Sequence, residues 1–461
     1  MTLTVYLALF AWPVLTLFLF AAMPSLRATV VSMAAGWMFL PVAGFKLPGL
    51  PDYTKLTAIS LGVLLGTLVF DPARLGRLRP RWFDVPMLVW WLVPMASSIT
   101  NGLGAYDGGS SMMKGTEYWV IPYLIGRLYF SDAAGLRELA MGMIVGGLVY
   151  VPLCLFEARM SPQLHTWVYG YHQHQFIQSW RFGGWRPTVF MQHGLMVAAW
   201  MATASLVGVW MWRVGELKRL RGWPFGWLLA ALVGTTLLCR SVGAIALLAA
   251  GLGAMTVART WRITAAVWVL ATVPFLYVGV RVVSQWDASE LIAVSKMISS
   301  ERAESLKTRI DNENQLIARA MERPVFGWGL WGRARIIDEE EDQDLSRTDG
   351  MWIIALGNHG VVGLGAFFGW LILPPALLLW RAGPGVFKHP GAAPAVAVLV
   401  SVLLFTIDTL PNSMINPLLV AAAGGLGPVA MAVGVRRGVG RAGAGVPRGV
   451  PAVGGAQGGG A

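Results

Sequence analysis

Two arginines, two tryptophans, three glycines and a histidine crowd the stretch "QSWRFGGWRPTVFMQHG" (178–194), which leads into a long apolar run. An arginine fork donates two parallel hydrogen bonds to phosphate oxygens and stays charged at any ordinary pH. An indole offers a flat face to a sugar ring and also suits the membrane interface. Trp180, Arg181, Trp185, Arg186 and His193 therefore suggest a site for a charged head on a greasy tail. Each also has a plainer reading. The indoles can be interfacial anchors, Arg181 can snorkel to lipid phosphate, and His193 can be a hydrogen-bonded bundle histidine. The spacing places His193 about two turns inside the span, where an ionisable ring is expensive and usually faces a polar cavity.

Two further cations stand out. Arg240 separates "LVGTTLLC" from "SVGAIALLAAG" with no acid near it in sequence. Arg309 lies in "SLKTRIDNENQLIARAMERP" (305–324), whose apolar residues recur at helical spacing before Pro324, and Glu313 at i+4 is a candidate partner for it. Glu157, closing a span, is placed to orient an arginine. His165, His172 and His174 lack an Asp, Glu or Cys in their stretch to complete a metal set, and are expected to be exposed loop residues. "GWG" (327–329) is expected to be a turn, and the acidic "DEEEDQD" (338–344) a solvated loop without the spacing of an EF-hand.

The elements that must position these groups are membrane spans. The chain has 461 residues, 56% hydrophobic and 13% charged, with 22 Trp. Apolar runs begin near residues 3, 28, 56, 82, 116, 136, 187, 224, 242, 263, 350, 393 and 417, each about the length a helix needs to cross a bilayer. The expected fold is all-α: a polytopic helical membrane bundle of about 12–13 transmembrane helices with one large periplasmic loop subdomain. The weakest span is 116–130, which carries Glu117, Pro122 and Arg127. "MTLT" lacks a cationic n-region, so the first run is expected to stay as a span. Cys154 and Cys239 have neither zinc-type nor disulfide-framework spacing.

Cation-rich links at 71–82, 212–223, 258–262 and 380–392, with the tail from Val435, alternate along the chain and are assigned to the cytoplasm. The links 101–111, 157–186, 284–349 and 411–416 then face outward. The net charge of +12 belongs to topology and to contact with membrane lipid headgroups, and does not suggest nucleic-acid binding. The segment 284–349 holds 14 of the 24 acidic residues and nine of the 36 Lys and Arg, a net of −5. The expected organisation is N-terminal membrane helices over 1–156, a core over 157–375 that includes the outer loop, C-terminal membrane helices over 376–434, and a disordered basic tail over 435–461.

The order "RPTVFMQHGL", "LLCRSVGAIALLAAG", a large outer loop with "TRIDNENQLIARAMERPVFGWGLWG", then "TDGMWIIALGNHGVVGLGAFFGW" resembles the O-antigen ligase and polymerase superfamily of bacterial envelope glycosyltransferases, most clearly over residues 150–375. The resemblance implies a metal-independent, inverting transferase of the bacterial inner membrane that needs no cofactor. Its partners would be an undecaprenyl-diphosphate-linked glycan donor and a polysaccharide or lipid-linked acceptor. It also implies that Arg240 and Arg309 bind the diphosphate, with Arg186 beside them and Trp180 and Trp185 at the sugar. Where the ligases carry a histidine at the point where the large loop re-enters the membrane, ahead of G-x-x-G, counting back from Gly360 and Gly363 gives Asp349, followed by Gly350, in this chain. That favours an exopolysaccharide polymerase-like branch, with Asp349 and His193 as the catalytic candidates. The competing class is a lipid-linked oligosaccharide flippase or other multispan transporter, which predicts repeated halves, broken helices and charges at the membrane midplane.

Overall fold

The computed structural model describes residues 2–47, 50–284, 286, 289–298, 300–338, 343–344, 346 and 349–442. Helices dominate it, and the strands are four isolated two-stranded hairpins. Every apolar run of the sequence is helical. Among the described residues, eight helices are long and apolar enough to cross a membrane, and Lys55–Phe70, Phe225–Leu238 and Pro417–Val433 are shorter apolar helices. The architecture is a polytopic α-helical bundle of membrane type.

Three boundaries differ from expectation. The run from 187 is not helical until Gly194, because Glu157 draws the Thr188 and Val189 amides to its carboxylate. The weak 116–130 run is split: Gly104–Gly115 is α-helical, Thr116–Val120 widens into a π-turn, and Ile121–Tyr129 resumes the α-helix. The last helix, Pro417–Ala442, runs through the first eight residues of the segment expected to be a disordered tail. Residues 443–461 lie outside the described set, as do 339–342 of the acidic run.

Packing is close where side chains are small. A Cβ on Gly126 would lie 1.8 Å from the carbonyl oxygen of Ala421, and one on Gly424 2.2 Å from that of Tyr123. The Ile121–Tyr129 and Pro417–Ala442 helices thus touch backbone to backbone, as glycine-lined membrane interfaces allow. Trp90, Trp119, Phe367 and Trp370 form a buried aromatic ladder nearby, with ring centroids 5.2–6.1 Å apart.

The two ends of the bundle differ in chemistry. At one, arginines in and beside the cation-rich links meet carboxylates: Arg74 pairs with Asp71 at 2.7 Å, Arg127 with Asp84 at 3.1 Å and Arg137 with Glu216 at 3.0 Å. At the other, the links 157–193, 239–241 and 409–416 meet the Ser300–Met321 helix and the start of the Met351–Ala382 helix. This loop end holds the candidate site.

The Met351–Ala382 helix is broken near its start. Gly360 has φ +62°, and a Cβ there would fall 2.3 Å from the Val325 carbonyl oxygen. The Pro324–Gly329 turn fills the break. Pro324 and Val325 carbonyls accept from Val361 and Val362, and Trp328 and Gly329 amides donate to Gly357 and Asn358. Polar backbone released by the kink is therefore satisfied inside protein, as a low-dielectric setting demands.

Candidate anion-binding site at the loop end

Three helix N-termini open onto this end. His193 immediately precedes the Gly194–Val214 helix; Arg240 and Ser241 precede Val242–Trp261; Asp349 and Gly350 precede Met351–Ala382. Helix N-termini carry partial positive charge and unused amides, so the site attracts anions before any side chain is counted.

The sequence around 180–185 folds into a hairpin. Trp180 pairs with Trp185 and Arg181 with Gly184, leaving Phe182 and Gly183 as a two-residue turn, both at positive φ. That is the turn whose twist suits a tight hairpin. Trp180 and Trp185 meet edge to face at 4.8 Å, and Phe176 packs on Trp185 at 5.1 Å. The hairpin end holds Arg240, whose guanidinium donates to the carbonyls of Phe182 and of Arg181. A Cβ on Gly184 would lie 2.3 Å from the Arg240 Nη2, so this glycine makes room for the fork. Arg240 has φ +51°, the left-handed region that costs a non-glycine residue roughly 1–2 kcal/mol. Its carbonyl accepts from the Arg186 Nη2 at 2.8 Å. Arg240 thus has partners that its neighbours in sequence did not suggest, all of them backbone.

Arg186 is the most buried of these cations, at 8% exposure, and its Nε has no hydrogen-bond partner. A Cβ on Gly194 would collide with the Arg186 Cδ at 2.4 Å, so a second glycine makes room for a second arginine. Burial pulls the Arg186 guanidinium down to about 10, and Arg181 and Arg309 add like-charge repulsion. Among the described residues, none of Arg181, Arg186 and Arg240 forms an ion pair with a carboxylate.

His193 caps its helix from outside the span, and does not sit two turns within it. Its Nδ1 accepts the Leu195 amide at 3.0 Å, which assigns the ring proton to Nε2. Desolvation, then His174, Arg186, Arg181 and Arg309, pull the ring down to about 4. A neutral imidazole whose Nδ1 is engaged serves as a hydrogen-bond donor and cannot collect a proton at Nε2.

Arg309 pairs with Asp349, Nε to Oδ2 at 3.3 Å, both about half exposed. Glu313, the partner expected at i+4, turns the other way to the buried Arg281 at 3.2 Å and to the Tyr277 hydroxyl at 2.9 Å. Glu157 orients no arginine. It is fully buried and accepts from the Leu164, Thr188 and Val189 amides at 2.7–3.0 Å. His165 is 1% exposed and bonded to the Tyr171 carbonyl, with burial pulling it down to about 4, and His172 and His174 are half-buried. These histidines face inward because aromatic rings cover them, a signal that sequence spacing did not carry.

The structure brings all seven sequence candidates, Arg186, Arg240, Arg309, Trp180, Trp185, His193 and Asp349, to this one end. Arg181 of the same stretch joins them, and the structure adds a carboxylate that spacing did not single out. Asp408, held by Asn412 at 2.9 Å, lines an apolar cleft with Met196 and Ala244 from the first turns behind His193 and Arg240. Among the described residues, no three His, Cys, Asp or Glu side chains stand close enough to share a metal ion. Comparison with known protein families and with characterised proteins finds no match to this chain.

Proposed function

We propose that this chain is a glycosyltransferase of the envelope polysaccharide ligase and polymerase kind. It would move a glycan from an undecaprenyl-diphosphate carrier to a sugar hydroxyl at the outer face of the bacterial inner membrane. One observation carries the reading. Three guanidinium groups without carboxylate partners, one of them buried with a spare N–H, converge at helix N-termini beside an apolar cleft. A buried cation retained without a counter-ion is expensive, and an anionic ligand resolves the expense.

In this reading Arg186, Arg240 and Arg181 take the diphosphate, and their hydrogen bonds strengthen as charge builds on the leaving group. His193 Nε2–H adds a neutral donor. The acceptor hydroxyl attacks the anomeric carbon while the carbon–oxygen bond to the diphosphate breaks, inverting the centre, and the hydroxyl proton passes to a carboxylate. Asp349 is the base proposed here, since His193 cannot accept at Nε2, and its pair with Arg309 holds it in place. Trp180 and Trp185 wall the sugar, and the polyprenyl tail stays in lipid.

The test is reconstitution in liposomes with undecaprenyl-diphosphate oligosaccharide and a carrier-linked or core-oligosaccharide acceptor, run in the presence of a chelator. A new glycosidic bond is the expected result. The break at Gly360 favours a second reading, a lipid-linked oligosaccharide flippase, because transporters use interrupted helices. Against it, the Pro324–Gly329 turn already fills this break. Reversal of substrate facing without bond formation would decide for the flippase.

A further inference from the structure

Two facing segments beside Arg186 hold a concentration of buried polar atoms, and apart from the Arg186 Nε already given to the diphosphate the scheme above leaves them idle. Among the described residues, twelve buried side-chain polar atoms lack a hydrogen-bond partner, and five of them come from residues 172–188: His172 Nε2, Gln173 Oε1, His174 Nδ1, Arg186 Nε and Thr188 Oγ1. Most others are indole N–H groups within the bundle. An unpaired buried polar atom costs about 1–3 kcal/mol, so five in one place need an explanation.

The atoms belong to one wall. Gln173 spans the segments, its Nε2 donating to the Val189 and Met191 carbonyls at 3.2 and 2.9 Å, which leaves Oε1 free to accept. His172 Nδ1 meets the His174 carbonyl at 2.5 Å and the His174 amide at 3.3 Å, contacts that need opposite tautomers, so Nε2 faces a sugar hydroxyl as donor in one tautomer and acceptor in the other. The His174 ring packs on His193 at 4.7 Å. Thr188 is 3% exposed, with its amide fixed by Glu157 and its hydroxyl unused. The His172 ring packs on Phe176 at 5.3 Å, and Phe176 on Trp185 at 5.1 Å, so an aromatic face adjoins the polar edge.

We propose that the 172–174 loop and the 185–188 segment form a recognition subsite for the hydroxyl edge of a pyranose, specifically the donor sugar attached directly to the diphosphate. The ligand class follows from the chemistry. A sugar offers several hydroxyls that both donate and accept, matching a wall with the acceptor Gln173 Oε1, the His172 Nε2 and the two-way Thr188 hydroxyl. Its apolar face suits the Trp185 and Phe176 rings. The position follows from Arg186, which lies two residues from Thr188 and bonds the Arg240 carbonyl. A sugar one bond from a diphosphate held by these arginines falls against this wall. This assignment rests on the proposed function, because it takes the diphosphate as the anchoring group.

The experiment measures binding of purified wild-type protein, by tryptophan fluorescence, to polyprenol, polyprenyl diphosphate, and polyprenyl diphosphate bearing glucose, galactose or N-acetylglucosamine. Thr188→Val removes one hydroxyl at constant volume, and Thr188→Ser restores it. The wild type should hold at least one sugar-bearing lipid tenfold or more above the bare diphosphate. Thr188→Val should erase most of that increment, Thr188→Ser should keep it, and both should bind bare polyprenyl diphosphate as the wild type does. No preference for any sugar, or an increment that survives in Thr188→Val, overturns the subsite and makes the wall a structural nest. Binding of polyprenol as tight as polyprenyl diphosphate instead defeats the diphosphate reading itself, a separate outcome.

Discussion

Replacing Arg186 with methionine should leave the ligand-free protein as stable as the wild type or slightly more so, while abolishing its response to diphosphate. Pulling this guanidinium down to about 10 by burial holds about 3 kcal/mol against its charged form. Methionine fills similar length without that penalty, but it forfeits the bond to the Arg240 carbonyl, worth about 1.5–3 kcal/mol for a charged donor. The balance runs from about zero to 1.5 kcal/mol in favour of the variant. A ligand at a hundred times its dissociation constant adds about 2.7 kcal/mol to whichever protein binds it. Thermal unfolding in detergent, with and without polyprenyl diphosphate, should therefore show the order reverse: variant level or ahead without lipid, wild type ahead with it. An apo variant destabilised by more than about 2 kcal/mol, or one stabilised by the lipid as much as the wild type, refutes the view that Arg186 is kept for an anion.

Arg240→Gly should fold without loss, since glycine relieves the positive φ, yet transfer should fall about a hundredfold or more as a charge-assisted donor disappears; Arg240→Lys should rescue partly, and full activity in the glycine variant removes Arg240 from the site. Gly184→Ala should mimic it by displacing the guanidinium, so unchanged kinetics there would contradict the packing. Stability should drop as pH falls from about 6.5 towards 4, because His165 and His193 stay neutral in the folded protein down to about 4 while the unfolded rings protonate; each contributes up to about 1.4 kcal/mol per pH unit, and a His165→Gln variant with the same acid slope would disprove its part. Asp349→Asn should cost under about 1 kcal/mol of stability, the pair being half exposed, but strongly lower kcat, which a kinetic comparison with Arg309→Gln checks. Cysteine labelling in whole cells should find positions 312 and 182 accessible from the same side, outside the inner membrane; labelling from opposite sides breaks the site apart.

The sequence made the apolar runs readable because hydrocarbon forces the backbone into helices whatever the side chains do. It also drew attention to Arg240 and Arg309, since cations are scarce enough in such a chain to be noticed. What it concealed depended on partners distant in the chain. Nothing around His193 reveals that Glu157 delays the helix until Gly194, thirty-seven residues later. Arg309 and Glu313 sit at ideal spacing for a pair, yet the buried Arg281 competes for the carboxylate and wins because it is far less hydrated. The role of Gly184 and Gly194 as room for guanidinium groups is likewise invisible until the arginines are placed.

The turn that fills the break at Gly360 has a consequence for how the chain is made. Residues 361–382 can enter the bilayer as an ordinary helix as soon as they are synthesised. Residues 351–359 cannot complete their backbone pairing until Pro324–Gly329 has docked, and that turn belongs to the segment made before them. Biogenesis of this span is therefore a two-stage event, with docking of the preceding loop setting the time of the second stage. Lengthening the chain between 330 and 349 leaves both partners intact, whereas an insertion within 324–329 removes the template for a membrane helix. Length variation in natural or engineered forms should concentrate in the former stretch and avoid the latter.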